Sequence, residues 1–361
     1  MDWLTMESNG SVVVSTLDNC SCRSAPNDAS MFNLVVIIGF LPVLSTFGLA
    51  ANIINMYIYS STNTSAERYL MALSISDFGI CTSGILVIAA DSLRPHSYIV
   101  DQAFVILLPK LIPFGLFFQT TSIYITVFAA IDCYVNICRC LPSKSQRNYC
   151  TVENANRILV GVFLVSALYN VVQFGELQAV RCYASELGIE LYELCPTAMR
   201  LNAWYVTIYK GILYVCVMAF LPFVLLCFLT ALIVWELQRG KARTVSGQLS
   251  AEAYGDYTAI NGQNETKETD EDTSSPIVLV LVVVLFLFCN LISLLVNVCE
   301  MLEQSLDNAV QSILIDVGNM LVVVNATANI AIYAFGSKYY RSQAYQLLSF
   351  RRDSEKIPQS L

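Results

Sequence analysis

The chain has 361 residues, 56% of them hydrophobic and only 13% charged, and its mean hydropathy is +0.58. That argues against a water-soluble protein, which needs more polar surface. A formal net charge of −8 predicts no nucleic-acid partner, while a lone histidine (His96, in a loop) and the absence of a Gly-x-x-x-x-Gly-Lys phosphate loop leave no His-based triad, no His-containing metal site and no expectation of an enzyme.

The first 30 residues are polar and form a tail with sequons at Asn9 and Asn19, both candidates for glycosylation. No basic, apolar leader precedes them, so the first apolar run is expected to direct insertion. Seven apolar runs follow, near 32–60, 68–91, 103–136, 156–176, 203–237, 276–299 and 309–335. Each is about the ~20 residues that cross a bilayer. The expected fold is therefore an all-α membrane protein: a seven-transmembrane helix bundle across residues 31–350. Of the twenty Lys and Arg, fourteen fall on one side of this threading and six on the other. The bias puts the amino end outside and the carboxyl end in the cytoplasm, as expected of a multi-pass plasma-membrane protein.

Between the spans, residues 177–202 hold Cys182 and Cys195 and suggest an outer hairpin. Cys20, Cys22, Cys182 and Cys195 lie on the oxidising side; Cys133, Cys138, Cys140 and Cys150 lie on the reducing side and are expected to remain thiols. The insertion at 238–275 runs from basic (Arg239, Lys241, Arg243) to acidic (Glu268, Asp270, Glu271, Asp272), a composition expected to be disordered. Ser275-Pro276 then restarts a helix. After span seven, Tyr340, Ala344, Leu347 and Leu348 share one helical face, which predicts a short amphipathic helix on the inner membrane surface, followed by a cytoplasmic tail at 351–361.

Polar residues inside the spans are costly, ~2.5–3.5 kcal/mol for an ionised Asp at mid-bilayer, and so turn toward the bundle interior. Asp77 is mid-span two. Asn52, Ser122, Asn290, Asn325 and Asn329 lie at comparable depth. Two readings stand: a hydrated pocket around a carboxylate that holds a sodium ion or a proton, or interhelical hydrogen bonds worth ~0.6 kcal/mol each that simply join the helices. No other cofactor is expected. Asp316, about two turns into span seven, is placed to line an outer cavity; Lys110 is placed to snorkel to the interface. Outer-side acids outnumber outer-side cations, a field that steers a cationic ligand inward.

Five local patterns then occur in order on the right spans: Gly48-Leu-Ala-Ala-Asn52, Leu73-Ser-Ile-Ser-Asp77, Asp132-Cys133-Tyr134, Pro222, and Asn329-Ile-Ala-Ile-Tyr333. Together they resemble the motifs of rhodopsin-like G-protein-coupled receptors. Within that family, Phe118-Gln-Thr-Thr-Ser-Ile-Tyr-Ile-Thr-Val127, Leu168-Tyr-Asn170, Phe174-Gly-Glu176 and Cys289-Asn290 are similar to invertebrate FMRFamide-type neuropeptide receptors. The resemblance implies two partners beside the lipid bilayer: an amidated peptide ligand ending in Arg-Phe-amide, and a heterotrimeric G protein. It makes Glu176, Glu300, Glu303 and Asp316 candidates for the ligand's arginine, and Gln119, Trp204 and Tyr205 candidates for the entrance. Asp132, Cys133, Tyr134 and Tyr333 would form the coupling switch.

The departures from the family pattern are specific. Cys133 stands where the motif has arginine, Ile292 and Ile330 where spans six and seven have proline, Phe163 where span four has tryptophan. Leu108 stands where the usual disulfide to the second outer loop begins, which leaves Cys182 to pair with Cys195 or with Cys20 or Cys22. The missing arginine and prolines predict a stiffer, differently latched switch and weak or atypical coupling. The alternatives are a divergent chemosensory or signalling-silent receptor and, from another class, an ion-coupled transporter using Asp77; the absence of internal repeats speaks against the transporter.

Overall fold

The computed structural model describes residues 33–61, 64–94, 97–138, 149–184, 188–253, 274–301 and 308–354. Helix α1 (Leu41–Ile58) is preceded by a π-wound stretch, Asn33–Phe40, and closed by a 3₁₀ turn. Helix α2 covers Ser65–Ser83 and continues as π-helix through Gly84–Ala89. Then come α3 (Tyr98–Cys138) and α4 (Val152–Asn170). Strands β1 (Leu177–Ala184) and β2 (Ile189–Pro196) form one antiparallel hairpin. Span five winds as π-helix over Tyr205–Leu213 and Val215–Phe220 before α5 (Leu221–Ala253). Helices α6 (Ser274–Met301), α7 (Asn308–Gly336) and α8 (Lys338–Ser354) complete the order.

Local chemistry explains several of these boundaries. Thr64 caps α2 by accepting from the Glu67 amide at 3.3 Å, and Thr151 caps α4 by accepting from Asn154 at 3.2 Å. Ser337 accepts from the Tyr340 amide at 3.1 Å and so starts α8 just after Gly336 ends α7. Pro222 follows directly on the π-wound stretch of span five, so its missing N–H falls where the winding changes. With Ile292 and Ile330 in place of proline, α6 and α7 run as continuous helices.

Among the described residues, six helices are long and apolar enough to cross a membrane, and α6 contributes a shorter apolar stretch at Ile277–Ile292. Side chains are distributed the opposite way from a soluble protein. Leu168 and Phe288 are about 70% exposed on the outside of the bundle, whereas Asp77, Thr121 and Asn55 are completely buried. Such an exterior suits hydrocarbon, where apolar side chains lose nothing by exposure and polar ones must be satisfied internally. The chain is a multi-pass membrane protein of seven helical spans.

Close helix contact at the centre depends on Gly48, where a Cβ would run into the Thr327 hydroxyl of α7 and meet Cys81 Sγ of α2 at 2.6 Å. One expectation about loops is corrected. The backbone of α5 runs on to Ala253, so the insertion expected to be disordered from 238 begins as helix; residues 254–273 lie outside the described residues, as do the tail 1–30 with Asn9 and Asn19, and His96.

Candidate functional site

Three groups of polar side chains stack along the bundle axis. The middle one surrounds Asp77. Its Oδ1 accepts from Ser122 Oγ of α3 at 3.0 Å, and its Oδ2 accepts from Asn329 Nδ2 of α7 at 2.7 Å. Three helices are thereby tied to one carboxylate. The other three residues expected here do different work. Asn52 donates to the carbonyls of Gly48 (3.0 Å) and Ala326 (2.9 Å), joining α1 to α7. Asn290 turns back to the Phe286 carbonyl of its own helix at 2.8 Å. Asn325 is buried in α7. Among the described residues, Asn329 Oδ1 and Asn52 Oδ1 are buried oxygens that accept no hydrogen bond. Asn329 Oδ1, with Asp77 and Ser122, supplies oxygen donors of the hard kind that a small cation takes.

The hairpin end carries the second group, built on Glu176. The side chain is 5% exposed; Oε2 pairs with Arg200 Nη1 at 2.6 Å and with Lys210 Nζ at 2.9 Å. The Tyr205 hydroxyl donates to Oε1 at 2.7 Å. Thr197 fixes the base of the hairpin against the same spot, its amide donating to the Glu176 carbonyl at 2.9 Å. Sequence reasoning offered Glu176 as a carboxylate for a ligand's arginine. Instead its charge is already met by two cations, and the knot has one positive charge in surplus.

Tyrosines flank this knot. The Tyr205 and Tyr209 rings stack at 5.1 Å between centroids, and Tyr209 stacks on Tyr169 at 5.5 Å. Below them Gln173 donates to Asn170 Oδ1 (3.1 Å) and Asn170 donates to Thr120 Oγ1 of α3 (3.0 Å). A polar ladder thus runs from the knot toward the bundle centre. Of the remaining ligand candidates, Gln119 and Asp316 are partly buried in α3 and α7, and Trp204 is 76% exposed. Glu303 and the side chain of Glu300 lie outside the described residues. The partners Arg200 and Lys210 were counted in the sequence only as outer-side cations; nothing in the spacing joins them to Glu176.

The third group lies at the α8 end. Asp132 is buried and its Oδ2 accepts from Ser65 Oγ, the first residue of α2, at 2.8 Å. The neighbouring Cys133 sits in an apolar cluster with Leu73, Ala129 and Tyr333, and Tyr134 packs at its edge. Burial, and then the nearby Asp132 carboxylate, push the Cys150 thiol up to about 12, so it stays neutral and donates weakly to the Asp132 carbonyl at 3.9 Å. Tyr333 is fully buried, with its ring edge-on to Tyr59 at 5.4 Å and tilted against Tyr340 at 5.8 Å. Tyr340 donates to Asn55 Oδ1 at 2.7 Å, which fastens α8 to α1. Ser65 and Tyr59 carry no signal in the sequence, and nothing there joins Tyr333 to Tyr340.

The hairpin lies across α3. Leu177, Ala179, Tyr192 and Leu194 pack on Phe104, Val105 and Leu108, and Gln102 exchanges hydrogen bonds with the Tyr192 backbone at 2.7 and 3.3 Å. Both Cys182 and Cys195 are disulfide-bonded. They are not bonded to each other, since the register sets Cys182 opposite Leu191 and Cys195 opposite Gln178. Four residues of strand, about 13 Å, separate the two rungs, against a Cα limit of about 7 Å for a disulfide. The pairing inside the loop is thereby excluded.

Comparison with known proteins agrees with this architecture. Residues 51–333 match the family described as 7 transmembrane receptor (rhodopsin family). The chain is 31% identical over 346 residues to "Probable G-protein coupled receptor frpr-1" of Caenorhabditis elegans, covering 91% of this chain and 83% of that protein. It is 24% identical to "FMRFamide receptor" of Drosophila melanogaster, over 86% of this chain and 53% of that one. "FMRFamide peptide receptor frpr-18" of C. elegans is 27% identical, over 83% and 66%.

Proposed function

Since the chain belongs to the rhodopsin family of seven-transmembrane receptors, we propose that it is a neuropeptide receptor. Its hairpin end faces outside the plasma membrane, and its α8 end passes the signal to a heterotrimeric G protein. The observation that carries the ligand class is the charged and aromatic knot of Glu176, Arg200, Lys210, Tyr205 and Tyr209. A short amidated peptide of the FMRFamide kind, the ligand class in two relatives' names, matches such a surface. Its phenylalanine ring suits the stacked tyrosines, and its arginine competes with Arg200 and Lys210 for Glu176. The match of residues 51–333 to the rhodopsin family of seven-transmembrane receptors favours a receptor over an enzyme.

The test is a panel of amidated and free-acid peptides against cells expressing the chain, read by both binding and second messenger. Saturable binding of Arg-Phe-amide peptides, with loss of binding when the amide is hydrolysed, is the expected outcome. Binding with no messenger response favours a signalling-silent receptor; no binding by any peptide removes the reading.

Asp77, Ser122 and Asn329 would hold a sodium ion in this account, which supplies a positive charge at the bundle centre when bound. Sodium that binds only the folded state stabilises it by mass action. Raising sodium at constant ionic strength should therefore lift the melting temperature of the detergent-solubilised receptor by about 2 °C or more. Asp77→Asn should abolish the lift while keeping the bundle folded. Equal sodium response in the variant would remove the ion from the account.

A further inference from the structure

We infer that Gln173 is the residue that reads the ligand's carboxyl terminus: its side-chain oxygen takes an N–H of a primary carboxamide and turns away a free carboxylate. This rests on the reading of the chain as a receptor for an amidated peptide.

Three polar side chains join α3 to the end of α4, and all are buried: Thr120 is 2% exposed, Asn170 1% and Gln173 3%. Thr120 Oγ1 has a single proton, which goes to the Leu116 carbonyl at 2.7 Å or to Met218 Sδ at 3.2 Å. Toward Asn170 it is therefore an acceptor. Asn170 Nδ2 spends its two hydrogens on Thr120 Oγ1 (3.0 Å) and on the Ser166 carbonyl (2.8 Å). That fixes the Asn170 amide, whose Oδ1 accepts from Gln173 Nε2 at 3.1 Å. The Gln173 amide is fixed in turn, since reversing it would set two oxygens against each other. Every link passes on the same sense, so the ladder ends in an acceptor. Gln173 Oε1 is that acceptor, a buried oxygen to which no group donates among the described residues. The Tyr209 hydroxyl gives its proton to the Tyr169 carbonyl instead.

Burying an acceptor without a donor is unfavourable, and such atoms are few in native folds. Whatever satisfies Oε1 must carry N–H or O–H. A primary carboxamide offers two N–H groups, whereas an ionised carboxylate offers none and would meet Oε1 acceptor to acceptor. The neutrality of the ladder separates the amide from the ligand's other strong donor, arginine. A guanidinium held at Gln173 would be buried without an anion, and it has a carboxylate one turn away, in Glu176.

The spacing of these two acceptors suits neighbouring groups of one peptide. Gln173 lies in the 3₁₀ turn Val171–Gly175, and the Glu176 amide donates to the Gln173 carbonyl at 3.2 Å. Side chains three residues apart in such a turn lie over one another, with a rise of about 6 Å. In an extended peptide ending Arg-Phe-amide the terminal nitrogen lies two residues beyond the arginine, about 7 Å. One short segment thus meets both, its arginine at Glu176 and its carboxamide at Gln173. The phenylalanine between them falls beside Tyr205 and Tyr209, whose rings stack at 5.1 Å.

The test compares Phe-Met-Arg-Phe ended as carboxamide, as methyl ester and as free acid, together with the carboxamide carrying citrulline in place of arginine. Binding is measured on membranes holding the unaltered full-length receptor or Gln173→Met, which keeps the length of the side chain and loses its acceptor. On the unaltered receptor the ester, which is neutral but has no terminal N–H, and the acid should each bind about tenfold more weakly than the carboxamide, or worse. In Gln173→Met the gap between carboxamide and ester should fall below about threefold, while the loss caused by citrulline persists. An ester that binds the unaltered receptor as tightly as the carboxamide would overturn the assignment without any variant, so a Gln173→Met chain that failed to fold would not shelter it. An undiminished gap in Gln173→Met would overturn it too, as would loss of the arginine preference there in place of the amide preference. The two failures are distinct: no binding of any form to the unaltered receptor removes the peptide reading itself, whereas carboxamide binding to which Gln173 is indifferent removes only the assignment.

Discussion

Replacing Glu176 with alanine is expected to destabilise the receptor by about 3–5 kcal/mol, the range for removing one partner of a buried ion pair. Arg200 and Lys210 both touch the same carboxylate oxygen, with side chains 32% and 24% exposed. Without the carboxylate they face one another with their charges uncompensated, and the Tyr205 hydroxyl loses its acceptor. Glu176→Gln should cost less, because an amide oxygen still accepts from one donor. The diagnostic variant is the double change Glu176→Gln/Lys210→Met. Removing a cation along with the anion restores the balance, so the double variant should be more stable than Glu176→Gln alone, a coupling of at least about 1 kcal/mol in a double-mutant cycle. Thermal unfolding of detergent-solubilised protein measures these variants together with Lys210→Met alone, which closes the cycle. Additive effects would mean that the acid and the cations act independently.

Cys133→Arg should strengthen coupling. In the present chain Asp132 is satisfied by Ser65 at 2.8 Å and Cys133 is buried among apolar side chains, so no cation stands ready beside Asp132 in the motif position. A charge-assisted hydrogen bond contributes about 1.5–3 kcal/mol, enough for a rise of roughly tenfold or more in agonist-driven nucleotide exchange per ligand-binding site if the arginine reaches the G protein. Ser65→Ala should act on the other side of the same switch: it strips the buried carboxylate of its donor, weakens the tie between α2 and α3 and raises basal exchange. Exchange in the unaltered chain that already matches the Cys133→Arg variant would show that the cysteine leaves coupling intact.

What could be read from the sequence follows from how strictly lipid constrains it. The seven runs are legible because hydrocarbon tolerates no extended polar interruption; the helical spans follow them, except that α5 runs on to Ala253. Asp77 with Ser122 and Asn329 is legible as well: a carboxylate at that depth must find donors on neighbouring helices, and few are available. The network narrows in the structure because Asn52 and Asn290 are held by backbone carbonyls within one or two helices. Periodicity does not reveal which carbonyls those will be.

The hairpin end was less legible. Glu176 follows α4, Arg200 follows the hairpin, and Lys210 lies within a π-wound stretch of span five. Their meeting depends on the β register and on non-standard helical winding, neither of which leaves a pattern in the sequence. The same register decides the disulfides. Cys182 and Cys195 looked like natural partners by proximity in sequence, and four residues of ladder offset separate them. The meeting of Tyr333 and Tyr340 with Tyr59 is hidden for a similar reason: it joins the ends of α1 and α7 to α8, three elements whose relative placement is tertiary.

Every functional statement depends on which end of the bundle meets the outside. Epitopes placed ahead of Met1 and within residues 254–273 decide it in one staining experiment on expressing cells. The amino-terminal epitope should stain unbroken cells, and the one in the insertion should stain only after permeabilisation. Staining of the insertion in unbroken cells, with the amino-terminal epitope hidden, would contradict the account.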